Sequence, residues 1–182
     1  GVHVPKVFAS DLQHGFMLLE DFGDETYLPT LLKAQSAQDA ATYTRLYTEA
    51  IDALLLLQKG ADKERLGPFD RKELRREMDL FPEWMCEKFL GITLDASARA
   101  LIDSAFAFLE EAALAQTQVA VHRDYHSRNL LILQSGKGPG VIDFQDAVSG
   151  AYTYDLISLL RDCYIAWPQT RIDEWAQYYL NG

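Results

Sequence analysis

The sequence predicts a mostly helical α+β fold with a small β insertion in its second half. Two short apolar runs lie near the N terminus, and most of the remaining chain shows the apolar spacing of amphipathic helices. Residues 119–144 return to short strand-like runs that carry many polar side chains. The 182 residues, 48% of them apolar, can bury one ordinary core. We therefore look for function in the β insertion.

The first two strands are predicted at residues 4–9 and 16–20, because both runs are apolar and a polar turn at 10–15 separates them. After Gly23 the pattern becomes helical. Asp70, with Glu73 three residues later, resembles a capping box, and Asp95 is a second candidate N-cap. Five helices are predicted: residues 37–58, a segment from 70 toward 90, a segment after Asp95, residues 154–167 up to Pro168, and residues 172–180. The apolar face of the helix after Asp95 includes Leu101, Ile102, Ala105, Phe106 and Leu109.

The β insertion contains three predicted strands, at residues 119–121, 130–133 and 141–144. The last two flank a turn-rich stretch at residues 135–140, which is typical of a hairpin. Such a hairpin would carry the third strand back beside the second.

Composition and charge exclude several classes of protein. The formal net charge of −10 argues against a nucleic-acid-binding protein, which normally carries a basic face. The longest apolar runs, such as 53–57, are too short to span a bilayer, and no signal-peptide pattern opens the chain. Cys86 and Cys163 lack metal-ligand spacing and are expected to be reduced thiols. These features predict a soluble, cytoplasmic protein with no nucleic-acid and no membrane partner; a small-molecule partner is predicted by the motifs described next.

The strongest motif is His122-Arg-Asp-Tyr-His-Ser-Arg-Asn129, which fits the H-R-D-x-x-x-x-N catalytic loop of kinases. Asp124 on this loop can accept the proton of an attacking hydroxyl, which makes it the candidate catalytic residue. Asn129 and Asp143 can each offer an oxygen to a magnesium ion and are the candidate metal ligands. Phosphoryl transfer needs an aligned nucleophile and metal ions that offset phosphate charge, and this set of residues can supply both.

A purely structural interpretation of the same residues stays open. Asp124 and Asn129 could cap the loop, and Asp143 could be a buried carboxylate with a backbone partner. An aspartate inside the apolar run 141–144 is costly unless it is paired or binds a metal, which favours the functional interpretation.

The tripeptide Asp21-Phe-Gly23 also spells a magnesium-binding motif, but it precedes the catalytic loop by about a hundred residues. It directly follows an apolar strand. In kinase-like folds such a strand leads into the hinge between the two lobes. By that resemblance, the Glu20 carbonyl and the Phe22 amide are expected to face the adenine of the nucleotide. The alternative is an ordinary junction between a strand and a turn.

Three other residues near the motif have less defined roles. His122 is expected to support the loop from within. His126 is left open between packing of the loop and contact with the substrate. Asp155 could cap the last long helix or hold the backbone amides of the catalytic loop, and the analogy with kinases favours the second role.

Several strings of residues resemble the aminoglycoside phosphotransferase family: the loop motif, Val141-Ile-Asp-Phe-Gln-Asp-Ala147, Thr153-Tyr-Asp-Leu156, Leu159-Leu-Arg-Asp-Cys-Tyr164 and Phe16-Met-Leu-Leu-Glu-Asp-Phe-Gly23. Within it, the strings are most similar to the bacterial anomeric kinases of N-acetylmuramate and N-acetylglucosamine. The resemblance implies a cytoplasmic kinase of cell-wall recycling that uses ATP and Mg²⁺ to phosphorylate the anomeric hydroxyl of an amino sugar. It assigns Asp124 as the base and Asn129 and Asp143 as metal ligands.

The resemblance also implies a protein-kinase-like domain organisation. Residues 1–23 would be the end of an N-terminal β lobe with the hinge, and residues 24–182 a helical C-terminal lobe with the catalytic hairpin. No glycine-rich phosphate loop occurs, and Lys6 is the only lysine before the hinge. We therefore expect an internal fragment of a longer enzyme that lacks most of the phosphate-binding elements.

Three alternative functions share the motif residues. An aminoglycoside kinase would use the same catalytic side chains, and so would a kinase of another small alcohol. A non-catalytic nucleotide-binding module, a pseudokinase, is the alternative of another class. The oligomeric state is left open by the sequence.

Overall fold

The structure is a computed structural model that describes every residue except Ser135 and Lys137. The helices are α1 Tyr27–Ser36, α2 Ala40–Gly60, α3 Arg71–Met78, α4 Ala96–Leu114, α5 Tyr154–Leu160 and α6 Gln169–Asn181, with a 3-10 turn at Lys63–Arg65 and a π-helical segment at Phe81–Phe89. The strands are β1 Val7–Asp11, β2 Phe16–Leu19, β3 Gly67–Pro68, β4 Gln118–Val121, β5 Leu130–Ile132, β6 Pro139–Val141 and β7 Val148–Ala151. The predicted mixture of helices and short strands is confirmed.

The chain folds as two compact units. The first contains residues 1–61, 122–147 and 153–182, and the second contains residues 62–121 and 148–152. None of the helices in the described part of the chain is long and apolar enough to cross a membrane.

In the first unit, β1 and β2 form an antiparallel hairpin. The first strand was predicted at 4–9 but begins at Val7, because Pro5 has no amide to donate and pairing starts where the Glu20 amide bonds the Lys6 carbonyl at 2.8 Å. The predicted turn is shorter than 10–15, since Asp11 still pairs with Phe16.

Two helices, α1 and α2, follow the β1–β2 hairpin, where the sequence predicted one. The helix predicted at 37–58 is α2, which begins at Ala40 because the Asp39 carboxylate caps it by accepting from the Thr42 amide at 3.1 Å. Gln38 has a left-handed φ of 54° and separates α2 from α1. The predicted apolar face of α2 is confirmed, since it buries Leu46, Tyr47, Ala50, Ile51 and Leu54.

The strands β5 and β6 form an antiparallel hairpin, and one further residue bridges each of its outer edges. Leu130 pairs with Val141, and Ile132 pairs with Pro139. His3 bridges the outer side of β6, and Thr26 bridges the outer side of β5. The stretch predicted to turn at 135–140 includes Ser135 and Lys137, which lie outside the described residues. The third strand, predicted at 141–144, is wrong beyond Val141, because Asp143 has a left-handed φ of 68° that a strand cannot contain.

The C-terminal helices also differ from prediction. The helix predicted at 154–167 ends at Leu160, and the following segment turns the buried Asp162 inward. The helix predicted at 172–180 begins earlier, at Gln169, directly after Pro168. The core beside α6 is aromatic: Tyr47 and Trp175 stack with their ring centroids 3.9 Å apart.

The second unit contains a three-stranded sheet in the order β3-β7-β4. The strand β7 runs parallel to β3 and antiparallel to β4, and it was not predicted because its four residues, Val-Ser-Gly-Ala, show no alternating pattern. Gly150 in β7 lies close to the Phe69 side chain, where an added Cβ would be 3.2 Å from the Phe69 Cβ.

The helices of the second unit begin as predicted and continue differently. Asp70 and Asp95 are N-caps, accepting from the Glu73 amide at 3.0 Å and the Ala98 amide at 2.8 Å. The helix predicted from 70 toward 90 is not regular throughout: it becomes π-helical from Phe81, beside Pro82, which cannot donate a helical hydrogen bond. The predicted apolar face of α4 is only partly right. Phe106 is buried, whereas Leu101 is 72% exposed and Leu109 is 51% exposed.

Candidate active site

The loop that carries the kinase-like motif begins directly after β4 and is held by one buried carboxylate. Asp155, in the first turn of α5, is 0% exposed. Its two oxygens accept from the His122 amide at 2.7 Å and the Arg123 amide at 3.0 Å. Burial raises the pKa of Asp155 to about 6, while the two amides act in the opposite direction. The expectation that Asp155 holds the amides of this loop is confirmed.

Alternate side chains anchor the middle of the loop. Tyr125 is fully buried and donates its hydroxyl to the Ala50 carbonyl of α2 at 2.8 Å. Ser127 is fully buried as well, and both its amide and its hydroxyl donate to Asp162. Asp124, directly before Tyr125, stays exposed. These anchors were not predicted, because Tyr125 and Ser127 occupy variable positions of the motif and the sequence carries no signal for their contacts.

His122 joins this loop to the segment that carries Asp143. The imidazole is 1% exposed, and its Nε2 donates to the Ile142 carbonyl at 2.9 Å. The Nδ1 atom has no hydrogen-bond partner among the residues described. Burial lowers the pKa of His122 below its ordinary value, chiefly because the charged ring would lose its hydration. His122 therefore supports the loop from within, as predicted.

We expect His122 to make the fold sensitive to acid. Its pKa is lower in the folded chain than the unfolded value of 6.5, so the unfolded chain binds the proton first and stability falls as the pH drops below that value. Asp155 opposes this, because its raised pKa makes the folded chain bind a proton first as the pH falls below about 6. In the His122→Gln variant, the glutamine amide can still donate to the Ile142 carbonyl, but it does not titrate. The variant should therefore lose less unfolding free energy than the unmodified protein when the pH falls to about 5.

Urea unfolding midpoints at about pH 7.5 and about pH 5 measure this effect. The control is His14→Gln, which removes a histidine from the exposed turn of the β1–β2 hairpin. An equal acid sensitivity in the His122→Gln variant and the unmodified protein would contradict the assignment.

The three predicted site residues come together at the side-chain amide of Asn129. Its Nδ2 donates to the Asp124 carbonyl at 2.9 Å and approaches Asp143 Oδ2 at 3.4 Å. The Asn129 carbonyl accepts from the Ile142 amide at 3.1 Å, which fixes the two segments side by side. Gln145 Nε2 donates to the other oxygen of Asp143 at 3.1 Å. The backbone of Asp124 and the side chains of Asn129 and Asp143 thus meet in one place.

Asp143 differs from its predicted environment. It was expected inside an apolar strand, but it follows the end of β6 and its side chain is exposed. Its φ of 68° and the φ of 77° at Arg123 are both left-handed. Non-glycine residues rarely adopt this region, and each such residue costs on the order of 1–3 kcal/mol unless its surroundings hold it. Arg123 directly precedes the candidate catalytic residue Asp124, and Asp143 is itself a candidate metal ligand.

Glu20 and Phe22, the predicted nucleotide-contacting residues, line a cleft of about 460 Å³. His3, Asp21, Gly23, Leu133 and Gln134 complete its lining. The Gly23 amide donates to the Asp21 carboxylate at 2.7 Å, which closes a tight turn at the end of the cleft. The cleft therefore lies between the segment after β2 and the end of β5.

Gly140 of β6 leaves space for the Phe22 ring. A Cβ at Gly140 would lie 2.5 Å from Phe22 Cδ2 and 2.9 Å from Leu133 Cδ2. We therefore expect Gly140→Ala to displace both side chains of the cleft and to lower the unfolding free energy by about 1–3 kcal/mol. Urea denaturation of this variant against Gly67→Ala checks it, since a Cβ at Gly67 meets nothing within 4 Å. Equal stabilities of the two variants would contradict the close contact.

Solved structures define the class of fold. The choline kinase LicA from Streptococcus pneumoniae superimposes with a TM-score of 0.66 over 96% of this chain and 55% of that chain, at 16% identity. A gentamicin complex of APH(2")-IIa gives a TM-score of 0.66 over 98% of this chain and 60% of that chain, at 17% identity. The fold is therefore protein-kinase-like, as predicted. Residues 1–182 match the phosphotransferase enzyme family (APH), and the chain belongs to that family.

The curated relatives share a more specific name. An N-acetylmuramate/N-acetylglucosamine kinase of Pseudomonas putida is 44% identical over 178 residues, which are 98% of this chain and 50% of that protein. A protein of the same name from Neisseria meningitidis is 41% identical over 168 residues, covering 92% of this chain and 49% of that protein. The chain thus spans about half the length of the curated relatives it matches.

Proposed function

We propose that the full-length protein transfers the terminal phosphate of ATP to a hydroxyl of a small molecule, namely the anomeric hydroxyl of N-acetylmuramate or N-acetylglucosamine. The observation that carries the proposal is the Asn129 amide, which bonds the Asp124 carbonyl and approaches the Asp143 carboxylate. The amino-sugar substrate is supported by relatives with that name at 41–44% identity. We also propose a cytoplasmic role in cell-wall recycling.

Asp124 is proposed as the general base. Its side chain is exposed, so an incoming hydroxyl can approach it, while the backbone on both sides is fixed by Asp155 and by the buried Tyr125. A carboxylate oxygen of Asp124 would accept the hydroxyl proton as the oxygen attacks phosphorus. Fixing the loop backbone stabilises the geometry that this step needs.

Asn129 and Asp143 are proposed as ligands of Mg²⁺. Both offer hard oxygen donors, which this ion prefers, and Mg²⁺ usually keeps several waters and binds through one or two carboxylates and substrate phosphates. Bound there, Mg²⁺ would offset the charge of the phosphates. Gln145 would orient Asp143 through the bond to its second oxygen.

The cleft beside the hinge is proposed to receive the adenine. Glu20 and Phe22, the residues expected to face the adenine, line it, and Leu133 contributes an apolar wall. We also propose a division at residue 23 between the end of an N-terminal β lobe and a helical C-terminal lobe. With that division, the β1–β2 hairpin would belong to the first of these lobes.

Phosphate-transfer assays with the full-length protein test the proposal directly. N-acetylmuramate, N-acetylglucosamine and kanamycin are compared as acceptors with ATP and Mg²⁺. We expect product with one or both amino sugars and none with kanamycin. Transfer to kanamycin alone would favour an antibiotic kinase, whereas nucleotide binding without transfer to any alcohol would favour a pseudokinase.

A further inference from the structure

Arg128 on the catalytic loop has no role in the chemistry described above. It lies one residue before Asn129, and its guanidinium is exposed. The guanidinium carbon stacks over the Tyr164 ring, 4.9 Å from the ring centroid. Within the described part of the chain no carboxylate forms an ion pair with Arg128, although the protein carries a net charge of −10. A positive charge on this loop therefore has no acidic partner within the described protein.

The surroundings of Arg128 hold it in place. The Tyr164 amide donates to Asp162 at 2.9 Å, and the other oxygen of Asp162 accepts from the Ser127 amide at 3.0 Å. One buried carboxylate therefore ties the aromatic ring and the loop together. The His126 ring packs edge-on against the same tyrosine, with the centroids 5.5 Å apart. A stacked guanidinium has lost part of its rotational freedom before any ligand arrives, which lowers the cost of binding.

The position of Arg128 on the catalytic loop indicates that its charge would face the acceptor. Tyr125 and Ser127 are turned inward and buried, whereas Asp124 and Arg128 are exposed. An acceptor whose hydroxyl meets Asp124 would therefore lie along the loop that presents Arg128. Arginine binds carboxylates with two parallel hydrogen bonds, and the strongly acidic protein would otherwise repel an anionic acceptor.

We propose that Arg128, held by Tyr164, binds a carboxylate of the acceptor sugar. N-acetylmuramate carries such a group on its lactyl ether, and N-acetylglucosamine does not. The inference rests on the proposed function and extends it, because it makes Arg128 the residue that distinguishes the two sugars. Arg128 is a specificity-determining residue, and the proton transfer stays with Asp124.

The test compares Arg128→Gln with the unmodified full-length protein on both sugars. A lost charge-assisted hydrogen bond should raise the KM for N-acetylmuramate by about 10- to 100-fold, with the KM for N-acetylglucosamine within about twofold. Arg128→Lys should give an intermediate rise, because lysine keeps the charge and loses the planar stacked group. Tyr164→Leu should also raise the KM for N-acetylmuramate, whereas Tyr164→Phe keeps the ring and should not.

The matched control is Arg171→Gln, which removes another arginine stacked on a tyrosine, 5.7 Å from the centroid of Tyr43. It should change neither KM. An equal loss of kcat with both sugars, or a raised KM for ATP in Arg128→Gln, would show that the arginine serves the transferred phosphate and would overturn the proposal. So would unchanged values for both sugars.

Direct binding separates this inference from the proposed function. Calorimetric titration of each sugar reports the dissociation constant without any transfer. If the unmodified protein phosphorylates neither sugar, the proposed function fails. Weaker binding of N-acetylmuramate by Arg128→Gln, with unchanged binding of N-acetylglucosamine, would still support the inference, and any other pattern would overturn it.

Discussion

Replacement of Asp124 by asparagine is expected to slow phosphate transfer by about 10²- to 10⁴-fold, the usual contribution of a general base. Asparagine keeps the size of the side chain and cannot accept the hydroxyl proton. The contacts that hold the loop use the backbone carbonyl of Asp124 and not its carboxylate, so they are retained. Single-turnover rates with saturating acceptor measure the effect in the full-length protein.

Two comparisons make this result specific. Asp173→Asn makes the same chemical change on α6 and should leave the rate unaltered. Asp143→Asn should instead weaken Mg²⁺-dependent nucleotide binding, because it removes the carboxylate proposed to bind the ion. A transfer rate for Asp124→Asn close to that of the unmodified protein would exclude Asp124 as the base.

Asp155→Ala is expected to give a large loss of stability. It leaves the amides of His122 and Arg123 without their acceptor in a buried position. An unsatisfied buried amide costs about 1–3 kcal/mol, so the unfolding free energy should fall by about 2–6 kcal/mol. Asp155→Asn keeps one acceptor oxygen and should lose less. Urea denaturation at about pH 7 measures both changes.

The control for Asp155→Ala is a variant that breaks an exposed ion pair. Glu174→Gln breaks the contact with Arg171 on the surface of α6 and should cost less than about 1 kcal/mol. If Asp155→Ala were no less stable than Glu174→Gln, the two amides would have other acceptors and Asp155 would not hold the loop.

The candidate site could be predicted because Asp124 and Asn129 lie in one short motif and Asp143 follows it on the predicted hairpin. The spacing from Asp124 to Asn129 and the later Asp143 were enough to expect one site, and the hydrogen bonds of Asn129 bring them together. The N-caps Asp70 and Asp95 were predictable for a similar reason, since a cap is a contact within four residues. The supporting contacts of Tyr125 and Ser127 were missed, because Ala50 and Asp162 are distant in sequence.

Two of the wrong predictions show what apolar spacing does not report. Apolar spacing continues beyond Leu160, but the chain leaves the helix there so that Asp162 can accept from Ser127 and Tyr164. A buried polar bond of this kind overrides local helical preference, and periodicity does not report it. The apolar face of α4 illustrates the same limit, since the spacing predicts which residues share a face and does not show whether Leu101 is covered.

The left-handed backbone at Arg123 and Asp143 bears on how this protein can be made more heat-resistant. Glycine adopts that conformation freely, so stabilising screens would be expected to favour it at such positions. At 143 the exchange would delete the carboxylate that faces Asn129, and at 123 it would loosen the backbone next to Asp124. If the proposed function holds, selection for turnover would retain these two side chains, whereas selection for thermal tolerance would remove them.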